Sequence, residues 1–295
     1  MNGTLTGSVA FTRRKRLAVP NGVEERWAKI DGHRMRYLFA GTGPALILVH
    51  GLMGYSFSWS ENLAELGRHF TVYGLDLFNC GGSERIEQDG RLETAARSIV
   101  AFMDAVNVSQ AHVVGSSHGG TIVMLAAALS PERFNKIVPI APANPWTEQD
   151  RWQARVFSTW WGRLGGYCVP YVAPVVHGYF LTRLYADRSR VMAGTVAGYN
   201  APLKVAGTIR YLLAVMEQWT KDFNELEPRL GPLRDSPLTF LWGERDTVVR
   251  LSCKNDLQRC FPRATFKVIP DAGHLPYEER PELFNQILLE SLHEA

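Results

Sequence analysis

The stretch AHVVGSSHGGTIVMLAAAL, residues 111–129, constrains the fold more than any other part of the chain. A β-branched run leads into Gly115-Ser116-Ser117-His118-Gly119, and an apolar helical run leaves it. A strand that turns straight into a helix forces the residue at the turn into strained backbone angles. It also crowds the residues two before and two after, where glycine alone fits easily. Ser117 is therefore expected at the tip of a strand and at a helix N-terminus, where unpaired N–H groups and the helix dipole favour developing negative charge.

The same alternation of strand and helix continues on both sides of this turn, as in a mostly parallel sheet covered on two faces. ERWAKID (25–31) and HRMRYLFAG (33–41) meet at Asp31-Gly32, a hairpin signal, so the fold is expected to open with an antiparallel pair. Buried strands are expected in 45–51, 71–77, 111–117, 134–142, 238–246 and 264–274. Leu92, Ala96, Ile99, Met103 and Val106 share one helical face. A closing helix beginning at Pro281 carries Leu283, Phe284, Ile287, Leu288 and Leu292 on another. About 90 residues between IAPANPW and DSPLTFLWG break the alternation and read as helical throughout. They hold Trp146, Trp152, Trp160, Trp161 and Trp219, which are expected for the most part to fill that segment's own core, with some facing an apolar ligand under a lid. The expected organisation is a flexible N-terminal arm (1–22), an α/β core (23–142 and 237–295) and a helical cap (143–236).

With 46% hydrophobic and 21% charged residues, the chain has enough apolar material for one large core and is not a disordered type. Its net charge of +3 argues against a nucleic-acid partner. One basic run, Arg13-Arg14-Lys15-Arg16, reads as a solvated arm. The LAVP that follows is too short for a signal-peptide core, and no window approaches the roughly 18 apolar residues of a membrane span, so no stable membrane insertion is expected. Cys80, Cys168, Cys253 and Cys260 are scattered without metal or disulfide spacing, which points to free thiols and a reducing, cytoplasmic setting.

A serine hydroxyl needs a base to attack at neutral pH, and the base needs an orienting carboxylate. His274 lies just past the last expected strand and Asp246 just past the one before it, so both fall on the sheet edge that carries Ser117. Glu244 and Asp271 are the alternative acids; Glu244 comes early for the loop tip, and Asp271 is close in sequence to His274. His118 is expected to act only through its backbone N–H, and His50 to stabilise its own loop. A tetrahedral intermediate also needs two preset donors, for which the amides of His118 and of Leu52 in HGLMG are the candidates.

From residue 25 onward the chain resembles the α/β-hydrolase superfamily. The matching residues are His50-Gly51, Trp59, Asp76 with Gly81 and Ser83, the Gly115–Gly119 elbow, Trp242-Gly243 with Asp246, Gly273-His274, Glu278 or Glu279, and Pro281. The resemblance implies an eight-stranded, mostly parallel sheet flanked by helices, a helical cap after the sixth strand, and no cofactor. DLFNCGGS (76–83) departs from the usual pattern, with Phe78 for proline and Asn79 for glycine; asparagine tolerates left-handed angles, so the turn is expected to survive. Relatives resembling haloalkane dehalogenases and epoxide hydrolases carry aspartate at the nucleophile position, so Ser117 implies acyl transfer. The expected activity is hydrolysis of small to medium apolar carboxylic esters by Ser117, Asp246 and His274. The alternatives are hydrolysis of carbon–carbon bonds in ring-cleavage products and a hydrolase-like ligand receptor.

Overall fold

The computed structural model describes residues 19–145, 156, 159–236 and 238–293. The basic run at 13–16, most of the expected N-terminal arm, Trp146 and Trp152 lie outside them.

Eight strands form one sheet in the order β1-β2-β4-β3-β5-β6-β7-β8. They are β1 (Glu24–Ile30), β2 (His33–Ala40), β3 (Ala45–Val49), β4 (Thr71–Leu75), β5 (Ala111–Ser116), β6 (Phe134–Ile140), β7 (Thr239–Gly243) and β8 (Thr265–Ile269). β1, β2 and β4 pair antiparallel, and every pairing from β4 through β8 is parallel. The opening hairpin turns on Asp31 (φ 50°) and Gly32 (φ 86°), two positive angles that match the twist of the flanking strands. Inside the sheet both faces are buried. Ile47, Val49 and Val113 join one apolar cluster, while Leu46, Leu48 and Val114 join the other.

Helices α1 (Leu63–Leu66), α2 (Leu92–Ala105) and α3 (His118–Leu129) alternate with these strands. α2 buries Leu92, Ala96, Ile99 and Met103 on the first face as the periodicity predicts, and Val106 lies one residue past its end. Between β6 and β7 stand α4 (Trp160–Thr182), α5 (Thr195–Leu203) and α6 (Thr208–Arg229), followed after β7 by α7 (Lys254–Cys260), α8 (Pro276–Glu279) and α9 (Pro281–His293). α9 starts at its proline and packs Phe284, Leu288 and Leu292 on the second face.

The helical insertion is fastened to the loops and helix α2 of the core at several points. Tyr55 Oη donates to Gly198 O (3.1 Å), Arg85 Nη2 to Thr208 Oγ1 (2.9 Å), and Asp222 Oδ2 accepts the Leu92 N–H at the start of α2 (2.8 Å). Two expectations about this segment need correcting. It is not helical throughout, since residues 183–194 form turns and one 3₁₀ turn. Nor do most of its described tryptophans fill a core: Trp219 is buried, but Trp160 and Trp161 are 61% and 65% exposed. Among the described residues no helix is long and apolar enough to cross a membrane.

A buried ion pair locks the opening hairpin to the rest of the sheet. Arg36 on β2 donates to Asp76 Oδ2 (2.9 Å) and Ser56 Oγ (3.0 Å). Asp76 also accepts the N–H groups of Ser56 (2.8 Å) and Gly82 (2.6 Å). Removing one charge strands the other away from water. Arg36→Met is therefore expected to lower the unfolding free energy by about 3–5 kcal/mol, read as an earlier midpoint in urea denaturation; an unchanged midpoint contradicts this role.

Candidate active site

β5 ends at Ser116 and α3 begins at His118, so the whole reversal falls on Ser117, whose backbone sits at φ 52°, ψ −120°. A side chain rarely adopts such angles, and the surroundings hold it there. The Ser117 N–H donates to Ile140 O (2.8 Å), and its carbonyl accepts the N–H groups of Thr121 and Ala143 (both 3.2 Å). The glycines are required by contact: a Cβ at Gly115 would lie 2.6 Å from the Gly119 carbonyl carbon, and one at Gly119 would lie 2.8 Å from Val49 O. A Cβ at Gly51 would lie 3.4 Å from Ser117 Cβ, so the loop after β3 passes directly beside the serine.

Asp246 and His274 come together as a buried pair. Asp246 follows β7 in a turn closed by its own N–H to Gly243 O (3.2 Å), and its Oδ1 accepts Val248 N–H (2.8 Å) and Val249 N–H (3.0 Å). That leaves Oδ2 for His274 Nδ1 at 2.7 Å. A carboxylate only accepts, so Nδ1 carries the proton and Nε2 is left with its lone pair. The loop after β8 folds across the end of β7, with Glu244 N–H on Ile269 O (3.0 Å) and Arg245 N–H on Ala272 O (2.9 Å). The alternative acids stitch these loops together: Glu244 Oε2 accepts Asp271 N–H (3.1 Å), and Asp271 pairs with Arg245 (2.6 Å).

The other two histidines near the elbow are neutral packing groups. His50 Nε2 accepts the Leu77 N–H (3.2 Å), so Nδ1 holds the proton and donates to Gly51 O (2.8 Å), as expected of a loop stabiliser. The His118 ring stacks on Trp219 of α6 with centroids 5.4 Å apart, and burial, reinforced by His50, pushes its pKa down to about 3. Leu52 lies in a turn closed by Gly54 N–H to Gly51 O (3.0 Å), its side chain against the core. Asn79 takes φ 67°, so the turn that replaces the usual glycine survives. Among the described residues no group of three or more His, Cys, Asp or Glu side chains is placed to hold a metal ion.

Glu278 and Glu279 hold the histidine loop to the insertion. Glu279 Oε2 accepts Gly273 N–H (2.7 Å) and Ala186 N–H (3.0 Å), and Oε1 accepts Asp187 N–H (2.8 Å). His274 N–H donates to Leu184 O (2.6 Å). Leu184 O and the N–H groups of Ala186 and Asp187 are thus given to the core instead of to a helical ladder. Beside them, half-buried Glu278 receives the hydroxyl of Tyr185 (2.6 Å) and that of Tyr199, which is also bonded to Ser58 Oγ (2.8 Å). Loss of water around this carboxyl pushes its pKa up to about 7, against the lowering effect of the two tyrosine hydroxyls.

With this geometry in view, a family model described as alpha/beta hydrolase fold matches residues 44–281, and the chain belongs to that family. It is 30% identical over 264 residues to a protein designated a carbamate hydrolase, RutD, of Caulobacter sp. (strain K31), covering 85% of this chain and 92% of that one. It is 25% identical over 279 residues to haloalkane dehalogenase 2 of Mycobacterium bovis, covering 90% and 94%. Among solved structures, 2-hydroxy-6-oxo-6-phenylhexa-2,4-dienoate hydrolase of Rhodococcus sp. strain RHA1 superposes with a TM-score of 0.76 at 20% identity, covering 92% of this chain and 99% of that one.

Glu278 gives the site a pH signature. Its folded carboxyl, at about 7, holds a proton more tightly than the ordinary 4.5, so its stabilising contribution is complete below about pH 4.5 and is lost as pH rises through about 7. Glu278→Gln is expected to erase that loss. The variant's melting temperature should gain on the parent's between pH 5 and 8 by the equivalent of roughly 2 kcal/mol, and parallel curves in thermal denaturation contradict this.

Proposed function

We propose that this α/β-hydrolase family member cleaves carboxylic esters of small to medium apolar substrates through an acyl-enzyme. Ser117 Oγ attacks the ester carbonyl while His274 Nε2 takes its proton, then returns it to the leaving alcohol. Asp246 fixes the imidazole with Nδ1–H toward itself and stabilises the imidazolium. The backbone N–H groups of Leu52 and His118 receive the negative oxygen of the tetrahedral intermediate. Water activated by the same imidazole releases the acid.

The observation that carries this reading is the left-handed backbone at Ser117, presented at the same sheet edge as a buried His274–Asp246 pair 2.7 Å apart. Serine in place of aspartate separates the chain from chemistry that passes through an alkyl-enzyme ester, although a dehalogenase is among its relatives. Attack at a carbonyl is the chemistry a hydroxyl nucleophile performs.

The test is steady-state turnover of p-nitrophenyl esters of increasing chain length, run beside a ring-cleavage dienoate. The butyrate is expected to turn over many times, with activity falling from about pH 8 to about pH 5 as a histidine base requires. Ser117→Ala should lose about ten-thousand-fold in kcat/KM with an unchanged circular dichroism spectrum. Unchanged hydrolysis by that variant overturns the nucleophile. A single slow event with a trapped adduct marks a receptor, and faster turnover of the dienoate marks a carbon–carbon hydrolase.

A further inference from the structure

Residues 184–190 belong to the helical insertion, yet several of their polar groups turn toward the loop that carries His274. Leu184 O accepts the His274 N–H (2.6 Å). A single nitrogen of Arg190, Nη1, donates to Asp271 O (2.6 Å), ahead of the histidine in the chain, and lies 3.4 Å from Glu279 Oε1, beyond it. Arg190 thereby ties together the two ends of the histidine loop. Within that closure the Glu279 side chain, fully buried, accepts N–H groups from both partners: Gly273 of the loop (2.7 Å), and Ala186 (3.0 Å) and Asp187 (2.8 Å) of the insertion. A Cβ at Gly273 would lie 2.6 Å from Ala186 N, so the two segments pass in direct contact.

The loop needs such ties because its course is strained. Asp271 sits at φ 53°, an angle a residue with a side chain adopts at a cost. Its N–H is held from the β7 side by Glu244 Oε2 (3.1 Å), and its carbonyl from the insertion side by Arg190. A base is only as good as its aim: Nδ1 has to stay on Asp246 Oδ2 (2.7 Å) for the lone pair of Nε2 to point outward. A misplacement of about 1 Å at a reacting group costs on the order of a hundredfold in rate.

We propose that Arg190 and Glu279 are positioning residues for the His274 imidazole, so that segment 184–190 of the insertion sets the base in register with Asp246. Both act through the backbone of residues 271–274 and not on a reacting atom. The inference rests on the reading of His274 as the base that serves Ser117.

The test compares the full chain with Arg190→Met, Arg190→Lys and Glu279→Gln, each below its melting temperature and with its fold checked by circular dichroism. Two quantities are read. One is kcat and KM for p-nitrophenyl butyrate; the other is the far-downfield proton NMR signal of Nδ1–H between His274 and Asp246, assigned by its absence from His274→Ala. Arg190→Met is expected to lower kcat about ten- to a hundredfold with KM within about twofold of the parent, and to shift or broaden the downfield signal. Arg190→Lys keeps the charge and a donor and should recover most of both. Glu279→Gln, whose amide nitrogen cannot accept an N–H, should follow Arg190→Met; the partly exposed arginine gives the reading should the glutamate variant misfold. A folded Arg190→Met with parental kcat and an unmoved downfield proton overturns the proposal. So does a rise in KM at unchanged kcat, which would make the segment a substrate contact only. A parent that shows the proton but turns over no ester removes the ester reading alone, and the NMR comparison of parent and Arg190→Met then decides the positioning role.

Discussion

The left-handed backbone of Ser117 is the constraint on which the remainder of the site depends. A positive φ at a residue with a side chain is unfavourable by roughly 1–3 kcal/mol, and it persists because β6, the segment after it and α3 hold both peptide groups of the serine, through Ile140, Ala143 and Thr121. The close approach of Gly51, Gly115 and Gly119 follows from the same geometry, since each lies where a Cβ would press on neighbouring backbone or on the serine. Strain at this residue is the means by which the sheet presents a hydroxyl at its edge, beside the first turn of a buried helix.

Around that point the fold couples its parts through buried polar groups rather than through apolar packing alone. Asp246 Oδ1 accepts two backbone N–H groups while Oδ2 meets His274, so the carboxylate is held by contacts other than the histidine. The His274 loop is tied to the helical insertion by Glu279 and by the bond from His274 N–H to Leu184 O. His118, next to Ser117, is stacked on Trp219 of the insertion. The insertion therefore reaches the elbow and the imidazole through different contacts.

What could be read in advance was whatever leaves a local trace. The spacing of Gly115, Ser117 and Gly119 between a β-branched run and an apolar run reports a steric requirement that any strand-to-helix turn of this kind imposes. Asp31-Gly32 reports the hairpin for a similar reason, and Asn79 kept its turn because its side chain tolerates left-handed angles. Glu278 and Glu279 stood out only by resemblance, because their partners at 184–187 and at Tyr199 are about 80 to 95 residues away and sequence spacing carries no sign of them. The same distance hid the non-helical start of 183–194, where Leu184, Ala186 and Asp187 give backbone groups to His274 and Glu279. The exposure of Trp160 and Trp161 ran against expectation because an aromatic cluster in a sequence records apolar area, not which side of a helix the core takes.

The most direct measurement is mass spectrometry of the chain after treatment with a fluorophosphonate, which phosphonylates a hydroxyl only where a base and an oxyanion site activate it. One adduct is expected, on the peptide spanning the elbow and fragmenting to Ser117, with His274→Ala slowing its formation by orders of magnitude. An adduct on neighbouring Ser116, or labelling that proceeds as fast without the imidazole, would contradict a strained serine served by a distant histidine.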